Sequence, residues 1–382
     1  MFYLLPNELL VAIVEYCDQN TRKNLSLVSR RLRHPSQCVI LKTVYIRRPK
    51  FETSVPRFAV EGGGHLPEVM QNDRLLSYIQ TIVISTGGAS HYEEMNTIEP
   101  LFTVLHQMPS LRDIKLVGIP FTTTVLDRLC EVLSTRLYNV ELLRCSYPED
   151  YMIQQTALKI QGLGLALEHQ SMDIAPLTTT TNALVAIIER SLSSISSLFL
   201  ISRLSLSSGL GVLAYFGTMP RLASLNIQLL LDSNDQGLRK LLAANPQIVE
   251  FTLDWPFYEL PVLPPSTLPN VRTIRASAEM IQHLLPGRPV AAIEIRKSSK
   301  FKIMVDGLRA LPRSAAPIVE LNLHLHHYRT HLDEILDVLV KAVPRLERMW
   351  LSFRARVRSI LYFSAFIHHS FLVIANSPPS SY

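Results

Sequence analysis

HLDEILDVLVKAVPRLERMWL, residues 331–351, decides the fold. Leu332, Ile335, Leu336, Leu339 and Val343 recur at three- and four-residue spacing, with Asp333, Glu334 and Lys341 between them, so the first thirteen residues read as an amphipathic helix. Pro344 stops that helix, because it has no N–H to donate and its ring clashes with the preceding turn. The chain then restarts with Leu346, Met349 and Leu351 in the pattern h-x-x-h-x-h (h apolar), which suits a strand buried on one face. Helix, proline, strand is the unit.

Working outward, the same strand pattern begins at Ile79, Leu111, Leu137, Ile160, Ile195, Leu222, Ile248, Val271, Val290 and Ile318, before Leu346. Proline lies two residues ahead of the anchor at Pro109, Pro220, Pro246, Pro269 and Pro344, and DQGLRKLLAAN supplies a second helix before Pro246. One strand–helix unit cannot bury its own apolar face. Stacking many of them makes a continuous core, so residues 74–352 read as a repeat array.

The spacing resembles that of leucine-rich repeats, whose period is about 20–29 residues. This resemblance implies an α/β solenoid with parallel strands on the concave face and helices on the convex face. Two features depart from it: the steps are uneven, and of the Asn or Cys expected eight positions after each anchor only Cys145 is present. An irregular α/β domain is the other reading. In the solenoid, Leu225 and Leu321 point inward. Arg112, Asn226, Thr252, Arg272, Glu294, Asn322 and Glu347 lie on the open strand face, where such proteins bind partners. The segment LLPGRPVAAIEI (284–295) also resembles one found in large fungal F-box families.

The first forty residues are a separate module. Pro6 suits the start of a helix, after which Leu9, Leu10, Ile13, Val14 and Cys17 form one apolar stripe. Asn20 or Thr21 is placed to cap a second helix carrying Leu25, Val28 and Leu32, which His34-Pro35 is expected to end. Arg30, Arg31 and Arg33 then read as a solvated helix end that favours the dipole rather than as a nucleic-acid patch. The run Leu5-Pro6-x-Glu8-Leu9-Leu10-x-x-Ile13, a polar break, then Leu25-Ser26-Leu27-Val28-Ser29-Arg30-Arg31-Leu32 resembles an F-box over residues 1–40. That resemblance implies a helical module that binds a Skp-type adaptor, and through it a cullin, with Leu5, Pro6, Leu9, Ile13, Leu25 and Val28 at the adaptor. Arg22 departs from the pattern, since the family usually has an apolar residue there, and Leu32 replaces a common Trp or Phe.

Together the two resemblances imply a non-catalytic substrate-recognition subunit of a ubiquitin ligase of the SCF type, holding an unknown target protein on the repeat surface. The alternative is a repeat scaffold that acts outside any ligase. Residues 41–73, with Gly62-Gly63-Gly64, read as a connector.

Of 382 residues, 47% are hydrophobic and 18% charged, which excludes a disordered chain. A net charge of +6 over this length does not call for nucleic acid. Cys17, Cys38, Cys130 and Cys145 are far apart, so neither a disulfide framework nor a zinc finger is expected. The start lacks a basic leader and a small-residue cleavage site, and a cytoplasmic or nuclear protein is expected.

No nucleophile motif, phosphate loop or dinucleotide fingerprint is present, so no cofactor and no catalytic residue are expected. In LNLHLHHYRTHLDE, His327 and His331 have the spacing of metal ligands on a helix, with Asp333 and Glu334 near. Yet Leu321, Leu323 and Leu325 alternate with Asn322, His324 and His326 as in a half-buried strand. The alternation is the better reading: no metal, with Asn322, His324 and His326 offered to a partner. Residues 353–382 match no repeat. Their apolar run from Ile360 to Ala375 falls short of the ~20 residues that cross a bilayer, which leaves a closing helix, a tail anchor or an end outside the fold. A membrane partner is not expected.

Overall fold

The computed structural model describes residues 5–47, 59–60, 71–85, 95–148, 151–154, 157–167, 177–202, 217–229, 236–254, 263–296, 298, 300–325, 331–353, 359–364 and 375–376. It divides into two compact units, Met1–Ile195 and Ser196–Tyr382.

The first unit opens with three helices, α1 (Asn7–Tyr16), α2 (Gln19–Val28) and α3 (Arg30–Leu41). Strands β1 (Thr43–Arg47), β2 (Ala59–Val60), β3 (Thr81–Ser85), β4 (Asp113–Val117), β5 (Tyr138–Leu143) and β6 (Ile160–Leu167) follow, with helices α4 (Asp73–Leu76), α5 (Met95–Val104), α6 (Thr123–Thr135) and α7 (Leu177–Ser191). The strand order is β6-β5-β4-β3-β1-β2, parallel from β1 to β6, with β2 antiparallel at the edge. In the second unit, β7 (Ser197–Ser202), β8 (Ser224–Leu229), β9 (Glu250–Asp254), β10 (Thr273–Ala276), β11 (Ala292–Ile295), β12 (Glu320–His324) and β13 (Arg348–Phe353) pair in sequence order, all parallel. Helices α8 (Gln236–Ala244), α9 (Ala278–Leu284), α10 (Phe301–Arg309) and α11 (Leu332–Ala342) connect them. Sequential parallel neighbours need a crossover at each step. Most of the crossovers carry a helix among the described residues, which makes a leucine-rich-repeat-like α/β solenoid, the architecture expected from the repeats.

Register explains the core. Leu198, Leu225, Phe251, Ile274, Ile293, Leu321 and Met349 stand side by side across β7–β13, and two residues on Leu200, Ile227, Leu253, Ala276, Ile295, Leu323 and Leu351 repeat the row. Both rows are buried, while the positions between them are mostly half-exposed, so the helices cover one face and leave the other open. Close helix approach depends on Gly307 of α10: a Cβ there would lie 2.8 Å from the Ala278 carbonyl oxygen of α9.

The proline signal has a sharper cause than helix termination. The N–H groups of Leu111, Leu222, Ile248, Val271 and Leu346 donate to the carbonyls of Met108, Met219, Asn245, Leu268 and Val343. Each proline is therefore the second residue of a β-turn, where its fixed φ is already correct, and the turn delivers the anchor into the core. Polar side chains tie successive turns together. Asn245 accepts from the Met219 N–H at 2.7 Å and donates to the Leu241 carbonyl at 2.8 Å, and Ser314 accepts from the Val290 N–H at 3.1 Å.

Several expectations need correction. Leu137 is 47% exposed, and Tyr138 fills the core in its place, because the regular alternation of β5 carries Tyr138, Val140 and Leu142 to the buried side. Thr252 is buried on the open face, since Asn226 and Arg275 flank it at the same register and its side chain is short. The stretch 41–73 is not all connector: Thr43–Arg47 is a sheet strand, parallel to β3. Gly62-Gly63-Gly64 lies outside the described residues. Pro35 does not end the second helix. The break comes at Ser29, which is extended and caps α3 by accepting from the Arg31 N–H, and Pro35 sits buried inside α3. Asp18, not Asn20 or Thr21, caps α2 by accepting from both of their N–H groups. At the end of the chain, Ser359–Ser364 forms β14, antiparallel to β13, and Ala375–Asn376 forms β15, antiparallel to β14. A strand stands where a closing helix was one of the expectations, and the apolar run between β14 and β15 is outside the described residues.

Candidate functional site

Two surfaces concern binding. The first is on the N-terminal helices. α1 is apolar on two sides: Leu10 and Val14 are fully buried, whereas Leu9, Ile13 and Tyr16 are 51%, 42% and 94% exposed. The stripe read as one is therefore two. One side packs on the module itself, and the other is a row at four- and three-residue spacing facing solvent, the geometry of a helix that docks by one face. On α2, Leu27 and Val28 are 76% and 77% exposed, while Leu25 is half-buried. Pro6 is exposed ahead of α1 and Leu5 is half-buried, its carbonyl accepting from the Arg31 guanidinium. Tyr16 and Leu27 were not among the expected adaptor residues, although Tyr16 lies three residues after Ile13, on the same helix face.

The departures from the expected pattern have a physical account. Arg22 Nε donates to the Val14 carbonyl at 3.0 Å and its Nη2 to the Glu15 carbonyl at 2.6 Å, so α2 caps the last turn of α1 where carbonyls have no helical partner. Lys42 pairs with Glu15 at 3.0 Å. Arg30, Arg31 and Arg33 lie in the first turns of α3, so the helix dipole does not favour them. Arg31 and Arg33 are held instead by the carbonyls of Leu5 and Ser26.

The second surface is the open face of β10–β13, where a shallow hollow of about 450 Å³ is lined by Arg275, Glu294, Asn322, His324, Trp350 and Ser352 among others. Glu294 is its electrostatic centre. Arg296 Nε lies 2.8 Å from it, Arg275 Nε 3.3 Å and His324 Nε2 3.3 Å. The bond from His324, then those from Arg296, hold the Glu294 carboxyl at a pKa of about 2 against its burial. Ser352 lies 2.8 Å from His324 Nδ1. Of the expected partner-contacting residues, Asn322 and His324 line this hollow, and His326 lies outside the described residues. Arg275, Trp350 and Ser352 were missed, though each falls at a strand position that points away from the buried rows.

Among the described residues no group of three His, Cys, Asp or Glu could hold a metal ion. His327 is outside them, and His331 stacks on Phe301 with ring centroids 4.1 Å apart. All four cysteines are free. Cys145 donates to the carbonyls of Leu116 and Leu143, and burial pushes its thiol up to about 12. Among the described residues no helix is long and apolar enough to cross a membrane.

Residues 2–34 match the F-box domain family. No curated protein matches the chain. Among solved structures it is similar to the leucine-rich repeat-containing protein LegL7 from Legionella pneumophila, at 13% sequence identity and a TM-score of 0.43, over 72% of this chain and 84% of that one.

Proposed function

We propose that this chain, which carries an F-box domain at residues 2–34 ahead of its repeats, is the substrate-recognition subunit of an SCF-type ubiquitin ligase. The observation that carries the reading is the row of exposed apolar residues on α1, Leu9, Ile13 and Tyr16, beside and distinct from the buried Leu10 and Val14. An F-box domain generally binds a Skp-type adaptor, and an apolar helix face of this kind is what such an adaptor would cover, joining the chain to a cullin. A scaffold acting outside any ligase would leave that face in water with nothing to cover it.

The repeats would hold the target by its contacts with the open strand face. Ubiquitin transfer then needs only that a target lysine be kept close to the charged conjugating enzyme, so this chain supplies residence and geometry rather than acid–base chemistry. The cytoplasm or nucleus is the place we assign to such an assembly.

The test uses the full chain co-expressed with a Skp-type adaptor. Leu9→Asp or Ile13→Asp would place an unpaired carboxylate in the apolar contact, costing several kcal/mol. Both residues are exposed in the free chain, so folding should be unaffected. Loss of adaptor co-purification with unchanged circular dichroism is the expected result. Wild-type retention of adaptor by both variants would refute the reading.

A further inference from the structure

We infer that the hollow on β10–β13 binds an extended, uncharged peptide segment of the target, with a backbone amide read by Asn322 and an apolar side chain laid on Trp350. This deepens the proposed function and rests on it.

The charges of the hollow are already matched. Arg275 lies between Glu250, at 3.4 Å, and Glu294; Arg296 is on Glu294; and Arg348 is paired with Glu320. Each charged side chain of the hollow thus already faces an opposite one. An acidic or a basic ligand would have to break a pair that is partly shielded from water, losing about as much as it gains.

What remains for a ligand is neutral. Asn322, Trp350 and Thr273 are half-buried in the hollow, and among the described residues none of their side chains has a hydrogen-bond partner. A carboxamide presents a donor and an acceptor side by side, which is what a peptide group needs from one partner. Trp350 stands beside Asn322 at the same register of the next strand and adds a flat apolar face and one N–H. Ala292, between Thr273 and Glu320 at one register, makes the floor low.

Size agrees. β10 to β13 spans three inter-strand gaps of ~4.8 Å, or about 14 Å, which about four extended residues would cross. The hollow therefore fits a short stretch of backbone rather than a folded surface.

The probe is a random-peptide phage library panned on the purified full chain with its adaptor. Enrichment of uncharged sequences carrying an apolar residue is expected. A synthetic peptide from that set should bind equally at ~0.1 and ~1 M salt, because no net charge is neutralised. Asn322→Leu and Trp350→Ala should each weaken it about tenfold, the order of a central contact residue, and Trp350→Phe should recover most of the loss by keeping the ring face. Selection of acidic or basic peptides, salt-sensitive binding, no enrichment, or unchanged affinity in both variants while melting is unchanged would overturn the site. Adaptor co-purification is measured on the same samples. If it persists while the peptide result fails, the site falls and the ligase reading stands. If peptides bind and the adaptor does not, the ligase reading falls.

Discussion

Arg288 carries the most exacting prediction. It is fully buried, and its five hydrogen bonds all go to carbonyls, those of Thr267 and Leu284 at 2.8 Å, Pro264 at 2.8 Å, Leu263 at 3.1 Å and Pro286 at 3.5 Å. The guanidinium thus ties the segment before β10 to the end of α9, and burial lowers its pKa. Arg288→Met keeps the apolar stem and removes every donor. Leaving the four nearer carbonyls dry costs about 1–3 kcal/mol each, or ~4–12 in all, and releasing a buried cation returns several kcal/mol. A net loss of about 3–5 kcal/mol follows, a large part of the ~5–15 kcal/mol that holds a domain folded. Urea unfolding followed by tryptophan fluorescence, from Trp255 and Trp350, reads it. At a slope of ~2 kcal/mol per molar, the midpoint should fall by about 1.5–2.5 M. Arg288→Lys should recover only part, because an ammonium has three donors from one point and cannot span the same carbonyls. A Met variant within about 0.5 kcal/mol of wild type would show that water replaces the guanidinium, and the reasoning would be wrong.

The other predictions concern the core, the hollow and the helix module. Leu225→Ala and Leu321→Ala, both fully buried, should cost ~2–5 kcal/mol, while Arg112→Ala on the exposed side should stay within ±0.5 kcal/mol; equal losses in melting experiments would mean strands buried on both faces. Glu294 has a folded pKa of about 2 against an ordinary 4.5, so the unfolded chain binds its proton first and the stability it contributes is present above pH 4.5 and lost as pH falls toward 2. Glu294→Gln should therefore lie below wild type in stability near neutrality, with the gap closing across that window; a constant gap in acid unfolding would exclude the linkage. Arg22→Leu restores the apolar residue usual at its position but uncaps the Val14 and Glu15 carbonyls, so thermal melting should show a loss of about 1–2 kcal/mol rather than a gain.

The sequence by itself determined the period. Apolar spacing and the five turn prolines are local properties, and they located strands β3 to β13, the buried rows and the helices α8 and α11 without any long-range information. The N-terminal module was legible for the same reason, since Leu9, Leu10, Ile13 and Val14 lie within two helical turns. Only the tertiary structure decided which side of α1 is covered, because Leu9 and Leu10 differ in nothing but the direction set by α3 packing. Register decided it elsewhere. The point where β5 begins its alternation put Tyr138 in the core and Leu137 in water, and the neighbours at one register buried Thr252. The hollow was half legible: Asn322 and His324 show in the strand alternation, but their meeting with Arg275, Glu294 and Trp350 joins residues 75 apart in sequence, from 275 to 350. Arg288 was hidden for a like reason. A lone arginine in a Pro-Gly turn looks solvated until the chain brings the three distant carbonyls of Leu263, Pro264 and Thr267 onto it, and the free energy of that contact belongs to the fold rather than to any stretch of residues.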